Sequence, residues 1–268
     1  MVYDILTCPI CQESMTACFT TIVLKKFPAQ FEVCNSCGFM RAHDPYWLDE
    51  AYSRAIAVAD TGLVMRNVSL ACKISSALYW ATGERGEGSY LDAAGGYGML
   101  VRLMRDFGFN FSWSDKYCDN LLAAGFEFDA TQGKCQAVTA IEVMEHLTDP
   151  LSFVKETLAV SGAESFLFTT ELYIGSPPAP EAWWYYAFAT GQHIGFFQRR
   201  TLAVMANKLN LQFASANGLH ILSKTPISEN LLRAVTHRWI APGSAWWIRR
   251  RLGSKTMTDH EAMLGRIV

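Results

Sequence analysis

Four groups of residues in this chain have the types and spacing that could do chemistry. Cys8-Pro9-Ile10-Cys11 and Cys34-Asn35-Ser36-Cys37 are two C-x-x-C pairs, the spacing that sets four thiolates around a tetrahedral metal. Asp92-Ala93-Ala94-Gly95-Gly96-Tyr97-Gly98 is an acid followed by a glycine-rich turn, where a ligand can approach the backbone closely. Ile141-Glu142-Val143-Met144-Glu145-His146 brings two carboxylates and an imidazole within one turn of chain. Gly191-Gln192-His193-Ile194-Gly195 sets a second imidazole in an apolar run. Together they suggest a structural metal, a nucleotide-like cofactor and an acid–base site.

The glycine turn narrows the cofactor. Tyr90 and Leu91 lead into Asp92 as a buried strand, and Met99, Leu100, Leu103, Met104 and Phe107 recur at helical spacing up to Gly108, a C′ glycine. A dinucleotide fingerprint needs a small residue three positions after Gly98, where Val101 stands. A phosphate-binding P-loop needs Gly-Lys-Ser/Thr, which does not follow. The next strand reads Phe109 to Asp115 by alternation. A carboxylate at its end can accept both protons of a ribose diol, so Asp115, with Lys116 beside it, is a candidate cofactor contact. The bland reading of Asp115 is a cap for a helix over Asn120–Ala124.

Asp92, Ala94, Gly96 and Gly98 resemble motif I of class I S-adenosylmethionine-dependent methyltransferases, with Ala94 where the first glycine usually stands. Glu142 to Pro150 resembles the acid-V-x-E-H-x-x-D-P segment that follows the fourth strand in many small-molecule methyltransferases. With the cysteine knob in front, the chain is similar to small bacterial methyltransferases of sugar, polysaccharide or natural-product biosynthesis. The resemblance implies S-adenosylmethionine as cofactor, held by Asp92, Ala94, Gly95, Gly96, Gly98, Asp115 and Lys116. It implies that Glu142 lines the methionine end, that Tyr52, Asp60 and Arg66 belong to helices covering the cofactor, and that Glu145 and His146 face the acceptor. His146 could equally steady its loop, and His193 could be a base or a satisfied core histidine.

The elements that must position these groups follow from patterning. Ala137–Ile141 is an apolar central strand. Asp149 and Pro150 suit the N-cap and N1 of a helix through Val160. Phe166–Glu171 reads as a fifth strand, Phe126–Asp129 as a third or its remnant. Gln198–Lys208 reads as a helix. Asn217-Gly218 closes a hairpin between Leu211–Ala216 and Leu219–Ser223. Between strand five and that helix, Trp183, Trp184 and Tyr185 sit in a Pro-rich excursion, candidates to stack on a sugar or flat acceptor.

The expected fold is α/β, a Rossmann-like class I methyltransferase sheet with a terminal antiparallel hairpin, plus a small N-terminal zinc ribbon. The divisions are a zinc-binding ribbon over 1–45, a helical cap over 46–88, the core over 89–224 and a tail over 225–268. Cys8, Cys11, Cys34 and Cys37 are expected to hold a structural Zn²⁺.

Composition bounds the partners. The chain has 268 residues, half of them hydrophobic, with a formal net charge of −2 and no long basic run. That disfavours a nucleic-acid surface. The N-terminus, Met-Val-Tyr-Asp, lacks a signal-peptide layout, and no apolar run reaches a membrane span. The cysteine pattern suggests a reducing cytoplasm. The expected activity is methyl transfer from S-adenosylmethionine to a small acceptor, a sugar or sugar-containing metabolite. The alternatives are an RNA-modifying methyltransferase using the zinc ribbon, or a non-catalytic cofactor-binding scaffold.

Overall fold

The computed structural model describes residues 7–52 and 60–267. The helical expectation for 46–88 includes 53–59, and the reading of the N-terminus rests on 1–4; both stretches lie outside the described residues. In chain order the strands are β1 (Met15–Val23), β2 (Phe27–Cys34), β3 (Met40–Ala42), β4 (Ser89–Ala93), β5 (Asn110–Ser114), β6 (Cys135–Ala140), β7 (Ser165–Phe168), β8 (Gly195–Phe196), β9 (Gln212–Ala216) and β10 (Leu219–Ser223). The helices are α1 (Leu48–Ala51), α2 (Leu63–Ser76), α3 (Met99–Asp106), α4 (Pro150–Ser161), α5 (Arg199–Lys208), α6 (Glu229–Val235), α7 (Ala241–Leu252) and α8 (Thr256–Ile267). The chain divides into two units. The first is Met1–Ala57, Glu142–Lys155 and Thr169–Leu211; the second is Val58–Ile141, Glu156–Phe168 and Gln212–Val268.

The first unit carries an antiparallel sheet in the order β1-β2-β3-β8. Leu24 and Lys25, both at positive φ (52° and 61°), turn β1 into β2 without a glycine. One face buries an aromatic core of Phe31, Trp47, Tyr185, Tyr186 and Phe196. Tyr186 stacks on Phe188 and meets Phe196 edge-on. These rings bury large apolar areas with little side-chain entropy to lose. So a sheet with a two-residue strand at its edge still has a core.

The second unit is a six-stranded sheet in the order β5-β4-β6-β7-β10-β9. β5, β4, β6 and β7 are parallel, and β10 runs antiparallel to both β7 and β9. β4, β6, β7 and β10 are almost wholly buried, as strands covered on both faces must be. Asn217 and Gly218, at φ 53° and 78°, make the primed turn that matches strand twist. α3 buries Leu100, Val101 and Met104 and ends at Phe107 with Gly108 at φ +98°. The last helix is clamped to α3. Arg105 donates to both carboxylate oxygens of buried Asp259 at 2.8 and 2.7 Å, and Arg102 adds a third bond at 2.8 Å. The Arg105 guanidinium also lies 3.7 Å from the Phe126 ring centre.

Two expected elements do not form. Asn120–Ala124 is a series of bends, and Phe126–Asp129 contributes one parallel bridge between Glu127 and Trp113 instead of a strand. The backbone donors that a helix would use there are taken elsewhere. Leu122 N–H donates to the Tyr97 carbonyl at 2.9 Å, and Ala123 N–H to the Asn120 side chain at 3.0 Å. Side-chain competition of this kind favours turns over helix. Phe166–Glu171 is a strand only to Phe168.

Candidate active site

The glycine turn belongs to the second unit. Its geometry comes from three residues in the left-handed region, Ala94 at φ +54°, Gly96 at +55° and Gly98 at +84°. The glycines differ in what their missing side chains avoid. A Cβ on Gly95 would come within 2.8 Å of the Asp92 carboxylate, so that glycine serves packing. A Cβ on Gly96 would meet nothing within 4 Å. The turn is therefore open on the Gly96 side, where a ligand can meet the backbone.

Two carboxylates flank the turn. Asp92 is buried at the end of β4 and accepts a 2.6 Å bond from the Thr139 hydroxyl of β6. Burial pushes its pKa up to about 7, against the Thr139 bond, with the Asp115 charge adding to the rise. Asp115, just past β5, accepts from Gly96 N–H at 2.9 Å through Oδ2, and from Tyr117 and Cys118 N–H through Oδ1. Its two oxygens have four lone-pair positions, so one remains for a hydroxyl. Asp115 also caps a turn, though not the expected helix. Trp113 Nε1 donates to the Gly96 carbonyl at 2.8 Å. Lys116 is exposed, its ammonium 5.4 Å from the Tyr117 ring centre. Asp60 and Arg66, also in this unit, form a two-bond ion pair at 3.0 and 2.7 Å.

The first unit gathers the other candidates. Just after β6 the chain adopts φ +55° at Glu142, a strained conformation for a residue with a side chain. The Thr169 hydroxyl holds it there, accepting from Glu142 N–H at 2.9 Å and donating to its carboxylate at 2.6 Å. A short 3₁₀ turn over Met144–His146 then carries Glu145 inward. Asp149 caps α4, its Oδ1 accepting from Ser152 N–H at 3.0 Å.

Glu145 is fully buried, and neither of its carboxylate oxygens has a hydrogen-bond partner among the described residues. Burial raises its pKa. The His193 imidazole opposes that rise, as do the nearby Tyr185 and Thr170 hydroxyls. His146 is half-buried. Desolvation first and His193 second push it down to about 3. The two imidazoles meet edge to face with centroids 4.9 Å apart. Glu145, His146 and His193 each offer a ligand atom within 4.8 Å of the others. Tyr52 joins this group, its hydroxyl 2.9 Å from His146 Nδ1.

The three aromatics of the excursion meet through Tyr185, 5.3 Å from Trp183 and edge-on to Trp184 at 5.4 Å between ring centres, but differ in burial. Tyr185 is buried against His193, with its hydroxyl 3.2 Å from Thr170 Oγ1. Trp183 packs on Tyr186 and Phe196 in the core, and Trp184 is 78% exposed.

Cys8, Cys11, Cys34 and Cys37 also lie in the first unit, and their sulfurs form one cluster. Cys8 Sγ is 3.6 Å from Cys37 Sγ, and Cys11 Sγ is 3.4 Å from Cys34 Sγ. The Cys37 contact pulls the Cys8 thiol down to about 5 and pushes Cys37 up. Cys18 lies apart, bonded to the Phe31 carbonyl.

No role was readable for Thr139, Thr169, Thr170 or Gln192, which support these carboxylates and imidazoles, Gln192 through its carbonyl oxygen 3.0 Å from His146 Nδ1. Thr169-Thr170 at the exit of β7 and Gln192 next to His193 were the available signals. The Tyr185 carbonyl, 2.7 Å from His193 Nδ1, is a backbone group and left none.

A family model described as a methyltransferase domain matches residues 67–216. Among solved structures, the chain is similar to a mitomycin 7-O-methyltransferase at 14% identity with a TM-score of 0.42, over 58% of this chain and 52% of that one. It thus spans about half of that protein's length. It is also similar to magnesium protoporphyrin IX methyltransferase from Synechocystis PCC 6803 with bound SAH, at 14% identity and TM-score 0.42, over 67% of this chain and 91% of that one. An O-methyltransferase family 2 protein from Planctomyces limnophilus in complex with apigenin is similar at 12% identity and TM-score 0.43, over 67% of this chain and 66% of that one. No curated protein sequence matches the chain.

Proposed function

The chain belongs to the methyltransferase-domain family, and on that premise we propose that it moves a methyl group from S-adenosylmethionine to a small-molecule acceptor, a sugar or sugar-containing metabolite. The observation that carries the cofactor reading is the turn at Gly96. It is open where a Cβ would sit, and its N–H is held by a carboxylate with acceptor capacity to spare. Asp92, Ala94, Gly95, Gly96 and Gly98 form the cradle, and Asp115 takes a ribose hydroxyl. Lys116 and the Glu142 carboxylate are assigned to the same cofactor, as the family pattern implies. When bound, S-adenosylmethionine supplies an electrophilic methyl on a sulfonium.

The chain's own residues then have two tasks, to hold the acceptor close and to take up its proton. We assign proton removal from the acceptor's oxygen or carbon to the Glu145–His146–His193 group. Tyr52 steadies His146, and Tyr185 and Thr170 supply hydroxyls beside Glu145. Trp183 packs in the core, and Trp184, exposed and edge-on to Tyr185, is the ring we assign to stack on an acceptor.

Cys8, Cys11, Cys34 and Cys37 are proposed to bind structural Zn²⁺. Four thiolates complete a tetrahedral shell and leave no position for a reactant. Their sulfur separations of 3.6 and 3.4 Å without disulfides support this. Thiolates kept for metal also favour a cytoplasmic location.

The test is calorimetry with S-adenosylmethionine, followed by transfer of labelled methyl to a panel that includes sugar nucleotides. Saturable cofactor binding and label on a sugar are expected. A chain that does not bind S-adenosylmethionine overturns the reading.

A further inference from the structure

Glu145 poses a physical problem. Its carboxylate is fully buried and neither oxygen has a hydrogen-bond partner among the described residues. Leaving a buried carboxylate unpaired costs several kcal/mol, so such groups are paired, neutralised or given a metal. Among the described residues no lysine or arginine forms an ion pair with it. Beside it stand the Tyr185 and Thr170 hydroxyls, which carry no charge to offset its own, and two imidazoles, His146 and His193, each with a ligand atom within 4.8 Å of the carboxylate's.

The hydrogen bonds behind the imidazoles decide what they can offer. His193 Nδ1 lies 2.7 Å from the Tyr185 carbonyl oxygen, and His146 Nδ1 lies 3.0 Å from the Gln192 carbonyl oxygen. A carbonyl oxygen only accepts, so in both rings Nδ1 carries a hydrogen, and Nε2 is the nitrogen whose lone pair can be offered to a cation. The Tyr52 oxygen, 2.9 Å from His146 Nδ1, shares that hydrogen as a second acceptor. Gln192 is itself fixed, its side-chain amide donating to the Ala51 carbonyl at 2.9 Å. Backbone carbonyls behind Nδ1 are the supports that metal-binding imidazoles use to fix tautomer and ring orientation.

We infer that Glu145, His146 and His193 form a site for a divalent first-row transition cation, distinct from the four-cysteine cluster. Two neutral imidazoles and one carboxylate suit Zn²⁺, Co²⁺ or Fe²⁺. Mg²⁺ and Ca²⁺ prefer oxygen donors throughout. Glu142 is outside the set, because its carboxylate is engaged by Thr169. Three protein donors leave coordination open, as in reactive sites and unlike a four-thiolate site. A cation there would neutralise Glu145 and could bind an acceptor hydroxyl, lowering its pKa so that its proton passes to solvent water near neutral pH, the two imidazoles and the carboxylate then holding the cation instead of taking the proton themselves. That role, though not the site, rests on the methyl-transfer reading.

The test uses the full chain, stripped of metal, reloaded with Zn²⁺ or Co²⁺, and counted for bound metal. The wild type is expected to hold two equivalents, and Glu145→Gln and His193→Ala one each. With Co²⁺, the thiolate charge-transfer band of the cysteine site should be unchanged in both variants, which shows that the unit is folded. The weaker visible bands of the nitrogen–oxygen site should be lost. One equivalent in the wild type, or two retained in both variants, overturns the inference. The count stands apart from activity. Methyl transfer by a chain holding only the cysteine-bound metal overturns the cation's role at the acceptor and leaves the site and the proposed function intact. Two site-specific equivalents with no S-adenosylmethionine binding uphold the cation site and overturn the proposed function.

Discussion

The Asp115 carboxylate accepts a hydrogen bond from the Gly96 N–H at 2.9 Å, so the acid after β5 holds the turn after β4. The same side chain accepts from Tyr117 and Cys118 N–H. Removing it frees three backbone donors at once. Asp115→Ala is expected to weaken S-adenosylmethionine binding at least tenfold in calorimetry, since each hydrogen bond to a charged group is worth about 1.5–3 kcal/mol. Asp115→Asn, which keeps an acceptor oxygen, should fall between. Unchanged affinity in the alanine variant would remove Asp115 from the cofactor site.

Ala94 stands at φ +54° in the same turn. A left-handed conformation costs an L-residue about 1–2 kcal/mol, part of which glycine would return as greater entropy in the unfolded chain. Ala94→Gly is therefore expected to stabilise the chain by up to ~1 kcal/mol in urea unfolding. A loss of stability would mean that the methyl group's packing outweighs the backbone strain.

Asp92 makes stability depend on pH. Its pKa is raised by burial from 3.8 to about 7 in the folded chain, so between those values the folded state binds the extra proton. The protonated carboxyl's contribution is fully present below about pH 4 and is lost as pH rises through about 7. The integrated change is on the order of 4 kcal/mol. Asp92→Asn should flatten that part of the profile. A wild-type stability that rises between pH 5 and 7, with the same slope in the variant, would contradict the assignment.

How much of this was readable beforehand depends on which interactions fix each part. The buried strands around Leu91 and Val138 follow from apolar runs, and α3 and α5 from their helical periodicity, because local pattern and burial agree there. The bends at Asn120–Ala124 were not readable. They arise because Tyr97 and Asn120 capture backbone groups, a tertiary event that propensity does not encode. The close approach of His193 to Glu145 and His146 was likewise hidden, since it depends on where Tyr185 and Gln192 present their carbonyls. The sequence offered the residue types, and only the fold supplied the distances.

The clamp between Arg105 and Asp259 explains why α8 stays on α3. Asp259 accepts from Arg105 and Arg102, whose charges hold its pKa below the usual range against burial. Asp259→Ala leaves a buried guanidinium without its anion, a change that costs about 3–5 kcal/mol in comparable buried pairs. Thermal unfolding should show that loss, with little recovery on raising salt because the pair is shielded from solvent. Asp259→Asn should recover only part of it.

Removal of the metal proposed for the four cysteines is expected to act on the first unit. β1 and β2 carry their own aromatic packing, Phe19 stacking on Phe31 at 4.9 Å, but Cys8 and Cys11 precede β1 and are tied to the sheet through the sulfur cluster and the Thr7–Ser14 bridge. A strong chelator should therefore take the Zn²⁺ proposed for this cluster, one equivalent of the total released, and expose the Cys8, Cys11, Cys34 and Cys37 thiols to alkylation. Cys34→Ser should lower metal affinity by orders of magnitude, because a neutral hydroxyl replaces a thiolate donor. The second unit, whose sheet shares none of these cysteines, should keep its protection from hydrogen exchange at Leu91, Val138 and Ile221. Equal loss of protection in both units would show that the metal supports the whole chain.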